Sequence, residues 1–393
     1  MVIKINVFLL VKYLSLWYYS NKKQKGNMSM NWRRAIPFVS YVCAGLGVIA
    51  LFVHLMCRFH MPFADFINRY PAAWLRALMG YATGWFPLSF AELLVVCIPL
   101  WIFLLVLFVI RHSVSRERMV RAVSILLAAV MGGYSLFVFT LGCGYFATPL
   151  DRKLDLAEEE ISAEELYETA LWLIGETNAN ASGHETEESG STRMPISIEK
   201  MNEHLLDAYA SLAEECDFLS VAYSRVKPVV LSKPMSYSNI TGVYFFLTGE
   251  ANINVNYPDY TVPFTAAHEL AHQRGIAREN EANFIAFLAC IRSNEAYIRY
   301  SAYANVMEFV MNALYRADKT LWEAAWGKIS EEVRKEIHAY NEFYQSYQHT
   351  VIDEISSALN DSYLKGNGTE GTVSYGLVVN LAVAYYHNLK KDT

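Results

Sequence analysis

The sequence predicts an α+β protein in two parts: three N-terminal transmembrane helices, then a mostly helical domain with a small β-sheet. Two observations carry this. Of 393 residues 53% are hydrophobic, and the mean hydropathy is +0.16, an excess concentrated near the N-terminus and too large for an average soluble chain. Beyond residue 146 the apolar runs give way to amphipathic helical patterns separated by a few short extended stretches.

Residues 36–57, 90–110 and 122–142 are each long enough to cross about 30 Å of hydrocarbon as helices. Glu92 and Pro99 lower the quality of the second run. Buried core helices of a large soluble domain would not give three such runs in close succession. Arg33 and Arg34 precede the first span, and Arg111, Arg116, Arg118 and Arg121 crowd the loop between the second and third. Both segments are therefore expected in the cytoplasm, although Arg58, Arg69 and Arg76 in the first loop weaken the asymmetry. The expected layout is a three-span membrane domain over 28–146 and an extracytoplasmic domain over 147–393, which places the chain in the cell membrane. Residues 1–27 read as an interfacial helix, as a fourth span that would invert this topology, or as an extension ahead of a start at Met28 or Met30, and the last reading is preferred.

In the outer domain, Ser162 and Glu165 form a capping-box pattern that starts a helix reaching about Gly175. The polar, Gly/Ser-rich stretch 176–193 reads as a flexible loop, with His184 on its surface. A second helix over 198–216 leads to extended sequence at 226–231, 243–247 and 251–255. In the last of these, Ala251, Ile253 and Val255 alternate with Asn252, Asn254 and Asn256, the pattern of a two-faced strand. Helical patterns follow at 302–316, 321–326, 330–347 and 350–359, and a Gly-rich loop leads to a final apolar helix over 377–386, too short to span a bilayer. Cys216 and Cys290 are the cysteines of this domain, and one disulfide or two buried thiols fit them equally. A net charge of −6 without a basic stripe gives no support to nucleic-acid binding.

The chemistry concentrates in FTAAHELAHQRGIARENEANF, residues 264–284, where His268, Glu269 and His272 stand in H-E-x-x-H spacing. Histidines four apart lie one above the other on a helical face, so both imidazoles can reach one ion. Zinc accepts such a pair in a tetrahedral shell and keeps a position open for water when a third protein ligand completes it. Glu269 stands where a carboxylate can take a proton from that water and return it to a leaving amine. Three fixed residues match by chance in roughly one chain in a hundred of this length, so context decides. Here Ala266, Ala267 and Ala271 permit close packing and Gly275 is a plausible helix stop. The competing reading is a pair of histidines satisfied by hydrogen bonds on an ordinary amphipathic helix.

For a third ligand, the metzincin spacing leads to Arg278, which cannot ligate zinc. Glu279 and Glu281 open the next helical run. Glu281 shares a face with Phe284, Ile285 and Leu288 and is the preferred ligand. Glu279 sits with Ala282, Asn283 and Ala286 and is expected to accept a hydrogen bond from a ligand histidine. An oxyanion needs a donor, for which Tyr237, Tyr244, Tyr375 and Arg278 are candidates. Tyr237 and Tyr375 rank first because their contexts, MSYSN and SYG, are small-residue loops, with packing as the competing role in a chain of 26 tyrosines.

The motif helix, its Gly turn and E-A-N-F resemble the gluzincin zinc peptidases, whose third ligand is a glutamate on a following helix; the turn here is shorter than many of them use. The stretch 227–290, including PMSYSNITGVYFFLTGEANINV and FTAAHELAHQRG, resembles a bacterial family of membrane-anchored, H-E-x-x-H-containing proteins known as a domain of unknown function. The likeness runs from the first span to the C-terminal SYG segment. It implies a zincin-like fold and gives ANINVN the role of an edge strand that borders the cleft and pairs with substrate backbone; an ordinary sheet strand is the equal alternative. The expectation is a membrane-anchored zinc metallopeptidase with a peptide or protein substrate at the membrane surface. The alternative is a metallopeptidase-like module that binds envelope proteins or peptides without cutting them, which the intact Glu269 disfavours. Gln273, Arg274, Arg278 and Glu279 follow the motif too closely for cleavage at lipid depth, and the charge pairs or broken-helix repeats that transport would need are missing from the spans.

Overall fold

The computed structural model describes residues 36–392 except 114, 157–159, 188–189, 220–223, 349 and 372–376. The expectations placed on residues 1–27, on Arg33 and Arg34, and on Tyr375 lie outside the described residues. Among the described residues two helices are long and apolar enough to cross a membrane, α1 (Phe38–Phe59) and α6 (Arg116–Thr140). Between them α2 (Met61–Ile67) and α3 (Ala73–Gly84) are joined by a wider helical turn over Asn68–Ala72. The expected second span is instead two helices, α4 (Phe90–Val96) and α5 (Ile98–His112), bent by 58°, and only if they are counted together are there three spans. Pro99 accounts for the bend, because its ring carries no N–H and crowds the preceding turn. Phe52, Ile102 and Phe103 remain more than half exposed, the surface that lipid covers in a membrane protein.

The second part begins with α7 (Leu150–Lys153), α8 (Ala163–Ala181) and α9 (Ile198–Glu215). Both arms of the Ser162–Glu165 capping box are made. The helix runs past Gly175 to Ala181, because Leu173, Ile174, Thr177 and Ala181 are all buried, and their packing outweighs the roughly 1 kcal/mol that one internal glycine costs. The 176–193 stretch is thus partly helical, and its far end is tied down. Thr192 donates to the buried Glu336 carboxylate from both its N–H and its hydroxyl, and the His184 ring stands edge-on to Tyr297 at 4.8 Å.

After β1 (Lys227–Pro228) and α10 (Ser232–Ser236), β2 (Gly242–Phe245) and β3 (Glu250–Ile253) complete a sheet of order β1-β3-β2. β3 is parallel to β1 and antiparallel to β2. ANINVN is therefore the centre of the sheet, not its edge, and all four residues of β3 are buried. Its asparagines face protein: Asn252 Nδ2 donates to Val243 O, and Asn254 Nδ2 donates to Ser236 Oγ and Ile240 O. Alternation in sequence marked a second buried face, whose asparagine Nδ2 groups all donate to protein, rather than a wet one.

A buried ion pair ties this sheet to the membrane part. Lys227 Nζ lies 2.6 Å from Glu250 Oε1 and donates to the carbonyls of Thr83 and Leu88, while Glu250 accepts the Phe90 and Ala91 amides that start α4. Their side chains are 3% and 1% exposed. Lys227→Met leaves the Glu250 carboxylate buried without its cation, and a loss of about 3–5 kcal/mol is expected, read as a lower Tm of the purified chain.

The remaining helices are α11 (Val262–Gln273), α12 (Glu279–Ile291), α13 (Ala296–Ala317), α14 (Lys319–Trp326), α15 (Glu331–Gln345), α16 (Val351–Gly366) and α17 (Val378–Asp392). The main core gathers α8, α9, α11, α12 and α13, with Phe284, Phe287, Tyr297 and Tyr300 among its largest buried side chains. Cys216 and Cys290 are separate buried thiols, so the disulfide alternative is not realised.

Candidate metal site

α11 starts with Pro263 in its first turn, where a missing N–H costs nothing. It ends in a Schellman-type stop: Gly275 has φ +97°, its N–H donates to His272 O, and the Ile276 N–H donates to Ala271 O. A Cβ at Gly275 would also come within 2.8 Å of Arg76 Cζ and of Asn68 Oδ1. The turn is held from the membrane side, since Asn68 Nδ2 donates to Gly275 O, and the buried Arg76 donates to Asn68 and to Thr140 O at the end of α6.

This tight turn returns α12 against α11 and brings three ligand atoms together. His268 Nε2 and His272 Nε2 are 3.0 Å apart, and Glu279 Oε2 lies 3.1 Å from the first and 3.4 Å from the second. All three residues are buried, and their ligand atoms lie within 4.8 Å of one another, close enough to share one ion. His272 Nδ1 is 2.7 Å from Ile276 O. A carbonyl can only accept, so Nδ1 carries a proton, and in the neutral ring Nε2 turns a lone pair on the cluster. Burial alone would raise the Glu279 carboxyl, yet His272 and His268 hold it well below the usual carboxylate range. Burial likewise disfavours the charged His272 ring, and Glu279 overrides it, lifting the ring to about 9. The cluster thus attracts positive charge. Two imidazoles and a carboxylate are also a donor set that fits zinc.

Glu281, the expected third ligand, is elsewhere. Its Oε1 accepts from the Leu150 N–H at 3.0 Å and from Arg278 Nη1 at 2.7 Å. Arg278 also donates to Tyr145 O and Ala147 O, so this pair straps the segment leaving α6 to the start of α12, and Arg278 is not free to serve as an oxyanion donor. The preference for Glu281 rested on a single inward face, but α12 is buried around most of its circumference and has more than one. The face carrying Glu279, Ala282, Asn283 and Ala286 meets the histidines.

Glu269 lies beside the cluster, buried, with Oε2 unpartnered. Burial raises its carboxyl pKa, and His268 and His272 pull it back down. β2 runs directly over it: a Cβ at Gly242 would stand 2.6 Å from Glu269 Oε1, 2.7 Å from its Cγ and 2.9 Å from Thr265 Cγ2. Gly242→Ala is expected to push Glu269 aside or lift the strand, costing about 1–3 kcal/mol, and a thermal melt beside an activity assay checks both effects.

A cavity of about 780 Å³ opens onto the site, lined by His268, Glu269, His272, Glu279, Asn283 and Tyr363 among others, with β2 and α16 as walls. Tyr237 is not part of its lining; the ring is 39% exposed and stands edge-on to Tyr347 at 4.9 Å. Tyr244 borders the cavity with its hydroxyl buried and unpartnered. The sequence reading missed Tyr363 as a donor. Burial pushes its phenol up to about 12, and its oxygen accepts from the Tyr145 hydroxyl at 3.2 Å. It also passed over Asn283 in that role, whose Nδ2 is buried and unpartnered. Asn283 lies one turn beyond Glu279 and was readable from spacing; nothing near Tyr363 in sequence marks it.

No curated protein and no solved structure matches the chain. A family described as "Protein of unknown function (DUF3810)" matches residues 68–383, most of its length, and the chain belongs to that family.

Proposed function

We propose that the chain is a membrane-anchored zinc metallopeptidase whose catalytic domain lies on the extracytoplasmic side. The observation that carries this is the convergence of His268, His272 and Glu279 with Glu269 on the same helix, all facing a cavity walled by a sheet-edge strand. The two histidines and Glu279 would hold the ion. When bound, zinc supplies Lewis acidity and lowers the pKa of water at its open position. Glu269 accepts the proton of the attacking water and passes it to the leaving amine. Tyr363 and Asn283 donate to the oxygen on which charge develops. The edge of β2 aligns an extended peptide by backbone pairing, the role the sequence reading had given to ANINVN.

The proposed sidedness is supported by α6. Its C-terminal end meets the segment that supports the site, while Arg116, Arg118 and Arg121 stand at its other end, with Arg111 just before it. Its 25 residues separate the two ends by about 37 Å, the thickness of a bilayer with part of its headgroups. Positive charge is retained in the cytoplasm, which supports an extracytoplasmic site.

The test is the metal content of the full chain purified in detergent, beside His272→Ala. About one zinc per chain, absent from a folded variant, is the expected result. A folded chain without zinc sinks this reading and leaves the non-catalytic binding module in its place.

A further inference from the structure

The helix that walls the cavity is apolar on the side that protein does not cover. Asp353, Ser356 and Asn360 of α16 are partly buried and Leu364 is fully buried. Val351, Ile352, Ile355 and Leu359 are 71%, 58%, 56% and 67% exposed. At 100° per residue these four occupy one stripe about 100° wide, with Glu354, Asp361 and Lys365 on a third face. A helix on a water-washed domain places charge where this one places valine, leucine and isoleucine.

The opposite wall repeats the feature. Ile240, Val243 and Leu247, in and around β2, are 37%, 36% and 38% exposed. Both walls rest on the end of the same candidate span. Phe137 of α6 lies edge-on to Tyr363 of α16 at 6.2 Å and edge-on to Phe246 beyond β2 at 5.6 Å. The walls of the cavity therefore meet the packed end of a candidate span whose apolar surface farther along, at Val123, Leu127 and Val130, is more than half exposed.

We propose that this rim, the outer stripe of α16 together with the β2 hairpin, rests on the lipid surface, so that the cavity is entered at the bilayer interface. An amphipathic helix lying in that plane buries its apolar face about 5–10 Å into the headgroup boundary. Where the metallopeptidase reading holds, the substrate is then a polypeptide tethered to the membrane, presented as an extended stretch close to its anchor. The lipid contact itself does not depend on that reading.

The experiment reconstitutes the full chain into phosphatidylcholine–phosphatidylglycerol vesicles with photoreactive benzoylphenylalanine in place of Ile355, of Leu247 or of Lys335. Lys335 is a control on α15 whose side chain is 62% exposed. Irradiation is expected to give lipid adducts by mass spectrometry at positions 355 and 247 and none at 335. A cross-linked dimer at 355 or 247, showing that a second copy covers the rim, overturns the proposal. So does the absence of lipid adducts at both positions. Zinc content measured on the same preparations reports on the metal site alone, so failure of the lipid contact and failure of the peptidase reading are told apart.

Discussion

On the proposed zinc site, Glu279→Gln is expected to abolish metal binding, and Glu281→Gln to leave it in place. The two glutamates are two residues apart, on one buried helix, and have similar exposure. Only Glu279 places an oxygen within 3.4 Å of both histidines, and an amide in its place offers a weaker, uncharged donor to a divalent ion. Loss of a residue that merely supports a ligand weakens metal binding about 10–100-fold, so loss of the ligand should exceed that. Glu281→Gln breaks a different link. The Leu150 N–H and the Arg278 guanidinium lose a charged acceptor, and the chain is expected to lose about 2 kcal/mol of stability while keeping its zinc. Metal analysis and a thermal melt on both variants separate the roles. Zinc retained in Glu279→Gln and lost in Glu281→Gln would show that the two carboxylates exchange roles when the ion binds.

That contrast also shows where sequence stops being informative. His268, Glu269, His272, the stop at Gly275 and the helix after it were all legible, because each follows from local rules: spacing on one helical face, and a left-handed residue that closes a helix. Choosing between Glu279 and Glu281 required knowing which way α12 faces. Amphipathicity answers that question only for a helix with one dry side, and α12 has several. The sheet failed in the same manner. The alternation in ANINVN is a true period of two, but strand order is a long-range property. β1 arrives from 23 residues upstream to cover the side assumed to be free. Tyr363 was out of reach altogether, since it enters the cavity from a helix that begins nearly 80 residues after His272. The first and third expected spans were legible by composition, whereas the second is a pair of helices bent by 58°, and the break at Pro99 was foreshadowed only as a flaw in that run.

On the proposed peptidase function, Glu269→Gln is expected to bind zinc like the wild type and to lower peptidase activity by about 10²–10⁴-fold, the contribution of a positioned general base. The substitution preserves shape, which matters here because β2 leaves no slack: Gly242 already approaches the Glu269 side chain closely enough to exclude a methyl group. A glutamine therefore occupies the same space, and the histidines and Glu279 keep their arrangement, because Glu269 is not one of the convergent ligands. What disappears is the ability to take a proton. The wild-type carboxyl has one buried oxygen without a hydrogen-bond partner, Oε2, and its pKa is raised by burial. Both properties suit a group that must exchange a proton with substrate and water rather than hold a structural contact. A metal-loaded Glu269→Gln chain that still cleaves peptides at the wild-type rate would remove Glu269 as the base. A chain that loses zinc together with activity would instead make Glu269 part of the shell that holds the ion.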